Sequence, residues 1–286
     1  MQRKGIFFLF VLTFLFGMSI PLSAQSRSVF FEEWNVDIFN VDTTNNSFVV
    51  RETLKVSFSG TFRFGSRVIP LDNVDDISNV SVKELGVALR PSCAGETPGT
   101  YCVQNVQEGL SIIYYFNRTI TNASQVFEIE YEVDGAIRVY DGGDQIWWRA
   151  IPEEKYGFPV GSSTINVRLP LGYAPREGVD PVVTYGASSD VRVNTTSVVA
   201  SSKQTIGATE YFEIRVQYPH DPNARKAGWQ AGFDTQREFE ETQKPLIDLG
   251  LIAVSLVIAI SSPLGVYALW YSKGRDPKIG VVPEYL

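Results

Sequence analysis

Histidine is almost missing from this chain of 286 residues: His220 is the only one. Two cysteines, Cys93 and Cys102, are the only other soft metal ligands of note. A zinc or iron site built from histidine and cysteine therefore lacks ligands, and Ser-His-Asp machinery would have to depend on one imidazole beside Pro219. No Gly-x-Ser-x-Gly elbow accompanies that histidine, which reads as part of a strand-end turn. There is no glycine-rich nucleotide loop and no alternation of strands with helices. Asp72, Asn73, Asp75 and Asp76, or Asp141 and Asp144, offer oxygen ligands for calcium, but neither set follows an EF-hand loop, and acidic turns are usually just solvated. The expectation is no catalytic residue, no cofactor and no metal.

Long apolar runs are few, and both carry topological meaning. From Leu249 to Trp270 there are 22 consecutive uncharged, mostly apolar residues. As a helix they reach about 33 Å, enough for the hydrocarbon core of a bilayer. The other run opens the chain: Arg3 and Lys4, then an apolar stretch Ile6 to Ile20, then Pro21-Leu22-Ser23-Ala24. This is the layout of a secretory signal peptide over residues 1–24, cut after Ala24, with an uncleaved signal anchor as the alternative. Glu238, Glu240 and Glu241 precede the second run, whereas Lys273, Arg275 and Lys278 follow it. The positive-inside rule then expects a cell-membrane protein with its N-terminal domain outside and its C-terminus cytoplasmic. The whole chain carries a formal charge of −7. Removing +2 for the signal and +1 for the tail leaves −10 on the part between them, which excludes nucleic acid as an expected partner.

The exported part is written as strands. Phe48, Val50, Leu54, Val56 and Phe58 alternate with Arg51, Thr53, Lys55 and Ser57; Phe127, Ile129, Tyr131 and Val133 alternate with Glu128, Glu130 and Glu132. Ile165, Val167 and Leu169 repeat the pattern, as do Phe212, Ile214, Val216 and Tyr218. Period two with one apolar face marks antiparallel strands on a core. Turn clusters at Asp42–Asn46, Asp141–Asp144 and Gly161–Ser163 separate them. The expected fold is mainly β, an antiparallel β-sandwich ectodomain. The Pro152–Pro159 segment is the best boundary for a division into a sandwich over 27–150 and a second β unit over 160–219; one continuous domain is the alternative. A polar juxtamembrane helix is expected over 224–244, a transmembrane helix over 247–271 and a cytoplasmic tail over 272–286.

Three details of the exported part stand out. Cys93 and Cys102 form an even pair in an oxidising compartment, which reads as a disulfide stapling an excursion between strands. Two free thiols or half a metal site is the other reading. Glu52 falls on the apolar face with Val50 and Leu54, where a carboxylate needs a partner. A structural ion pair between Glu52 and Arg67 is expected; a bulge turning Glu52 outward or a ligand-binding role are the alternatives. Trp147 and Trp148 are adjacent in a strand and so point to opposite faces. One enters the core; the other faces outward as a possible partner contact, or packs between two β units.

The run Arg51-Glu52-Thr53-Leu54-Lys55-Val56-Ser57-Phe58, with Gly60, Phe62 and then Arg67-Val68-Ile69-Pro70-Leu71, resembles the opening of a bacterial family of predicted membrane proteins, domain of unknown function 2207. Phe127 to Gly135, the Trp148 region and Leu169-Pro170 extend the resemblance. So do Gly274-Arg275-Asp276-Pro277 and Val282-Pro283-Glu284-Tyr285, which resemble that family's motif after the membrane helix. The resemblance implies an exported β-rich domain, a membrane helix and a longer C-terminal part, so that the tail is expected to be truncated here. It implies no activity.

The functional expectation is a non-enzymatic, membrane-anchored cell-envelope protein. Its β domain would bind a protein or polysaccharide partner, and its Leu249–Trp270 helix would contact the lipid bilayer. The alternative is an envelope glycan hydrolase using paired carboxylates, which meet in space rather than in sequence.

Overall fold

The computed structural model describes residues 27–153, 157–275 and 280. The signal segment, Asp276, Pro277, Lys278 and the Val282–Tyr285 motif lie outside the described residues. Described residues up to Ala227 belong to one compact unit, and a second begins at Gly228.

The first unit is built from three sheets. The largest has at its centre β1 (Ser28–Asp42), β2 (Ser47–Ser59) and β9 (Ser124–Asp134), extended on the β9 side by β4 (Asp76–Glu84) and β5 (Val87–Ala88). On the other side β1 adjoins β13 (Thr164–Arg168) and the short β12 (Val160–Ser162), then β16 (Ser197–Ser202) and β15 (Ser189–Val193). The second sheet is ordered β3 (Thr61–Ile69), β8 (Gly109–Thr121), β7 (Thr100–Val106), β6 (Arg90–Pro91). The third is ordered β10 (Ile137–Arg138), β11 (Asp144–Ile151), β17 (Phe212–Tyr218), β14 (Val182–Gly186).

Alternation in β2 explains the layering. Phe48, Val50, Glu52, Leu54, Val56 and Phe58 are all buried, whereas Arg51, Thr53, Lys55 and Ser57 are only partly so. Both four-stranded sheets pack on that one buried face. Phe58 meets Phe116 of the second sheet at 5.6 Å between ring centroids, and Tyr114 meets Phe127 at 5.1 Å. At the other end of β2, Phe48 meets Trp148 of the third sheet edge-on at 5.6 Å. The result is a mainly β sandwich in which one wide sheet is covered by two small ones, with a single continuous apolar core between the layers.

Pairing is antiparallel with three exceptions. β1 runs parallel to β12 and β13, and β6 runs parallel to β7. Parallel neighbours need a long crossover, and the chain between β1 and β12 supplies one. Hydrophobic alternation gives the face a side chain occupies but not the direction of the neighbouring strand. The strands on the two sides of the 152–159 segment also share sheets: β13 pairs with β1, and β17 pairs with β11.

The turn from β1 to β2 is fixed by its own side chains. Asn45 donates its backbone N–H to Asp42 at 3.0 Å, and Asn46 takes a left-handed φ of 55°. The buried Asn46 amide then donates to the carbonyls of Ile137 and Arg225, so a turn residue ties β10 and the end of the β unit to β1.

The second unit is helical. A helix, α1 (Gln230–Glu238), passes through a π turn at Phe239–Gln243 into α2 (Lys244–Lys273). Helical structure starts at Gln230 rather than at 224: the Arg225 backbone N–H donates to the Thr43 carbonyl and its carbonyl accepts from Asn46, which holds this segment against the β1–β2 turn. Among the described residues this is the one helix long and apolar enough to cross a membrane.

Candidate functional site

Glu52 lies at the middle of β2, where the two covering sheets meet. It is fully buried, and Arg67 of β3 reaches it with only 4 % exposure. Arg67 donates from Nε to Oε2 at 2.9 Å and from Nη2 to Oε1 at 3.0 Å. Tyr131 donates its hydroxyl to Oε1 at 2.7 Å, and Trp34 its indole N–H to Oε2 at 3.1 Å. The remaining Arg67 Nη1 donates to the Val68 carbonyl. The guanidinium also sits 5.3 Å from the centre of the Trp34 ring. Burial alone pulls the Arg67 guanidinium toward neutrality, but the Glu52 carboxylate outweighs it and holds the group more basic than usual. Burial, reinforced by the same carboxylate, pushes the Tyr131 hydroxyl far up, so it stays a donor. Every polar atom of Glu52 is used inside the protein, and the arrangement joins β1, β2, β9 and β3. Its chemistry is structural.

A second cluster lies on the outer face of the third sheet. Trp148 is 7 % exposed and belongs to the core, so Trp147 points the other way. Its ring stacks on Tyr185 of the neighbouring region of β14, with centroids 5.5 Å apart and planes within 12°. Arg138 lies over it at 4.0 Å. Its indole N–H donates to Glu213 of β17, and the same carboxylate accepts from Arg149 Nε at 2.8 Å. Arg149 in turn rests 4.9 Å from the Tyr211 ring. The cross-strand register sets Trp147 opposite Arg215 and Arg149 opposite Glu213. Trp147 and Tyr185 are only half-buried and Arg149 is exposed, so an aromatic and cationic surface is held in one orientation.

The alternation in β17 put Glu213 and Arg215 on the polar side, but nothing in the sequence paired them with β11. Sequence reasoning also missed the partner of His220. Its Nδ1 lies 2.9 Å from a carboxylate oxygen of the fully buried Asp144. Asp144 also accepts from the backbone N–H groups of Tyr140 and Asp221. Asp221 accepts from Thr43 and from the N–H of Asn223, and these bonds hold its carboxyl below the ordinary value. Both oxygens of Asp144 thus face partners within the protein. Asp75 contacts Arg225 at 3.7 Å. Among the described residues no group of three or more His, Cys, Asp or Glu is placed to hold a metal ion. His220 faces a shallow depression of about 460 Å³ that Asp141, Arg176 and Glu177 also line.

Cys93 and Cys102 are joined in a disulfide, and β7 carries the second of them next to β8. The loop they close is exposed over most of its length.

The sequence from residue 33 to 218 matches a family model described as the N-terminal domain of a predicted membrane protein (DUF2207). Among curated proteins none matches the chain. Solved structures with a related arrangement include an M1 zinc metallopeptidase from Deinococcus radiodurans, at 9 % identity and a TM-score of 0.40, over 67 % of this chain and 43 % of that one. A provisionally named nutrient binding protein from Legionella pneumophila aligns at 8 % identity and a TM-score of 0.43, over 66 % of this chain and 67 % of that one. This chain spans less than half the length of the metallopeptidase. Likenesses at these scores carry no argument about what this chain does.

Proposed function

This chain belongs to the predicted membrane protein family DUF2207, and from that premise we propose a non-enzymatic anchored component of the cell envelope. Its β unit is exported and binds a protein or polysaccharide partner through the outer face of β11, β14 and β17. The segment Leu249–Trp270 sits in the lipid bilayer. The carboxylates before the helix and Lys273 and Arg275 after it support a cytoplasmic C-terminus. The observation that carries the reading is Trp147, held by Tyr185, Arg138 and Glu213 on an outer sheet face. Aromatic and arginine side chains held rigid at a surface are the residues that dominate binding sites.

The test is capture of envelope components by the full chain in nanodiscs. One partner, retained by the native chain and lost with Trp147→Ala at unchanged thermal stability, supports the reading. A second reading rests on one observation: Asp141 and Glu177 both line the depression beside His220. Two carboxyls flanking a groove are the requirement of a glycan hydrolase. Glycan fragments released over time, and lost with Glu177→Gln, would favour that reading over the first.

A further inference from the structure

One cavity of the β unit shares no lining residue with either cluster. It encloses about 570 Å³ between the beginning of β1, the end of β2 and β3. That volume lies within the roughly 300–1,000 Å³ typical of small-molecule pockets. Val56 and Phe58, both buried, contribute its apolar floor, and Phe31, Phe62 and Tyr114 contribute walls. The Tyr114 ring lies directly over Gly65: a Cβ there would come within 2.5 Å of it. Glycine at this one position therefore lets an aromatic wall close against the β3 backbone.

The mouth has a different character. Arg27 and Arg63 both line the cavity and both are exposed. Arg51, Arg67 and Arg149 each hold a carboxylate, whereas Arg27 and Arg63 hold none among the described residues. One acid, Glu96 of the disulfide loop, shares the lining. Two arginines without an ion-pair partner among the described residues thus line one mostly apolar pocket. An arginine pair offers planar, forked donors that match a carboxylate.

We infer that this pocket binds a free single-chain carboxylate of the fatty-acid type. The chain lies against the Phe58 floor and the head group sits between Arg27 and Arg63. The volume suits one chain, and the floor and walls are mostly aliphatic and aromatic, with the two guanidinium groups at the exposed side.

The experiment uses the full chain in nanodiscs of neutral phosphatidylcholine and a diazirine-bearing palmitate, with labelled peptides mapped by mass spectrometry. The expected label falls on the β2–β3 region around residues 56–66, and unlabelled palmitate competes it away. Arg27→Glu with Arg63→Glu raises the half-saturating concentration about tenfold or more, as expected for lost charge-assisted hydrogen bonds. Because both arginines are exposed, the melting temperature of that variant is unchanged. Hexadecanol, which lacks the charge, competes poorly. The inference is overturned if the label stays within the Leu249–Trp270 helix, if hexadecanol competes as well as palmitate, or if the double variant binds normally. It is also overturned if only a two-chain anionic phospholipid probe labels the pocket.

Discussion

Two buried glutamates in this protein have nearly the same partners, but the arginine of one is enclosed and that of the other is open to solvent. Glu52 accepts from the indole of Trp34 and the guanidinium of Arg67 between the sheets. Glu213 accepts from the indole of Trp147 and the guanidinium of Arg149 on an outer face. The side chain of Arg67 is 5 % exposed and that of Arg149 is 48 %. Inside, water is excluded, so each partner is indispensable to the others and the cluster fixes how β3 docks on β2. On the outer face Glu213 is also buried, at 8 % exposure, but Arg149 is open to solvent, which screens the pair from that side while the cluster orients Trp147. Identical chemistry thus serves architecture in one place and presents a surface in the other.

The sharpest way to break this comparison is to remove one arginine from each cluster. Arg67→Ala leaves the Glu52 carboxylate buried and uncompensated, and should cost about 3–5 kcal/mol in chemical denaturation. Arg149→Ala should cost less, about 1–2 kcal/mol, because water reaches the Glu213 carboxylate from the side Arg149 vacates and the Trp147 indole N–H still donates to it. Replacing the inner pair together, Glu52→Leu with Arg67→Met, should recover only part of the loss, because no charge is left unpaired but the buried Tyr131 hydroxyl and Trp34 indole N–H lose their acceptor. Equal losses from the two single arginine variants would end the distinction.

Removing the disulfide comes next in size. Cys93→Ser with Cys102→Ser should lower stability by roughly 2–3 kcal/mol, as loop-closure entropy returns to the unfolded chain. Thermal melts of the two forms read it directly.

A smaller effect is expected at Asp134, the end of β9. Burial, reinforced by the nearby Glu132, Asp76 and Asp75, raises its carboxyl above the ordinary 3.8. A raised value means that the folded state favours the protonated acid, so the ionised form opposes folding at neutral pH. Asp134→Asn should therefore stabilise at pH 7, by less than about 1 kcal/mol. The gain should disappear as the pH falls below 3.8, where the acid is protonated in both states. Melting temperatures at pH 7 and pH 3 check the sign.

The Glu52–Arg67 pair was legible in the sequence, whereas its Trp34 and Tyr131 donors and the outer cluster were not, for a physical reason. Glu52 interrupts the alternation Phe48, Val50, Leu54, Val56, and an acid on an apolar face announces that a cation must meet it. Arg67 was near enough in sequence to name. Glu213 and Arg149 break no pattern, because polar residues belong on an outer face. Their meeting depends on β11 lying beside β17, and that pairing spans more than sixty residues. The same limit hid the Asp144–His220 contact and the parallel neighbours of β1. Alternation also foretold that only one of Trp147 and Trp148 would enter the core, while the identity of Trp148 as that one required the sheet. The membrane helix was legible from length and apolarity alone.

The central claim is that the outer cluster exists to bind. The most direct measurement is capture from envelope extracts by the full chain in nanodiscs, with Trp147→Ala and Arg67→Ala compared side by side. The account predicts that Trp147→Ala melts like the native chain and loses a specific partner, whereas Arg67→Ala loses stability first. A Trp147→Ala chain that keeps every partner, or a native chain that releases glycan fragments with time, would contradict it.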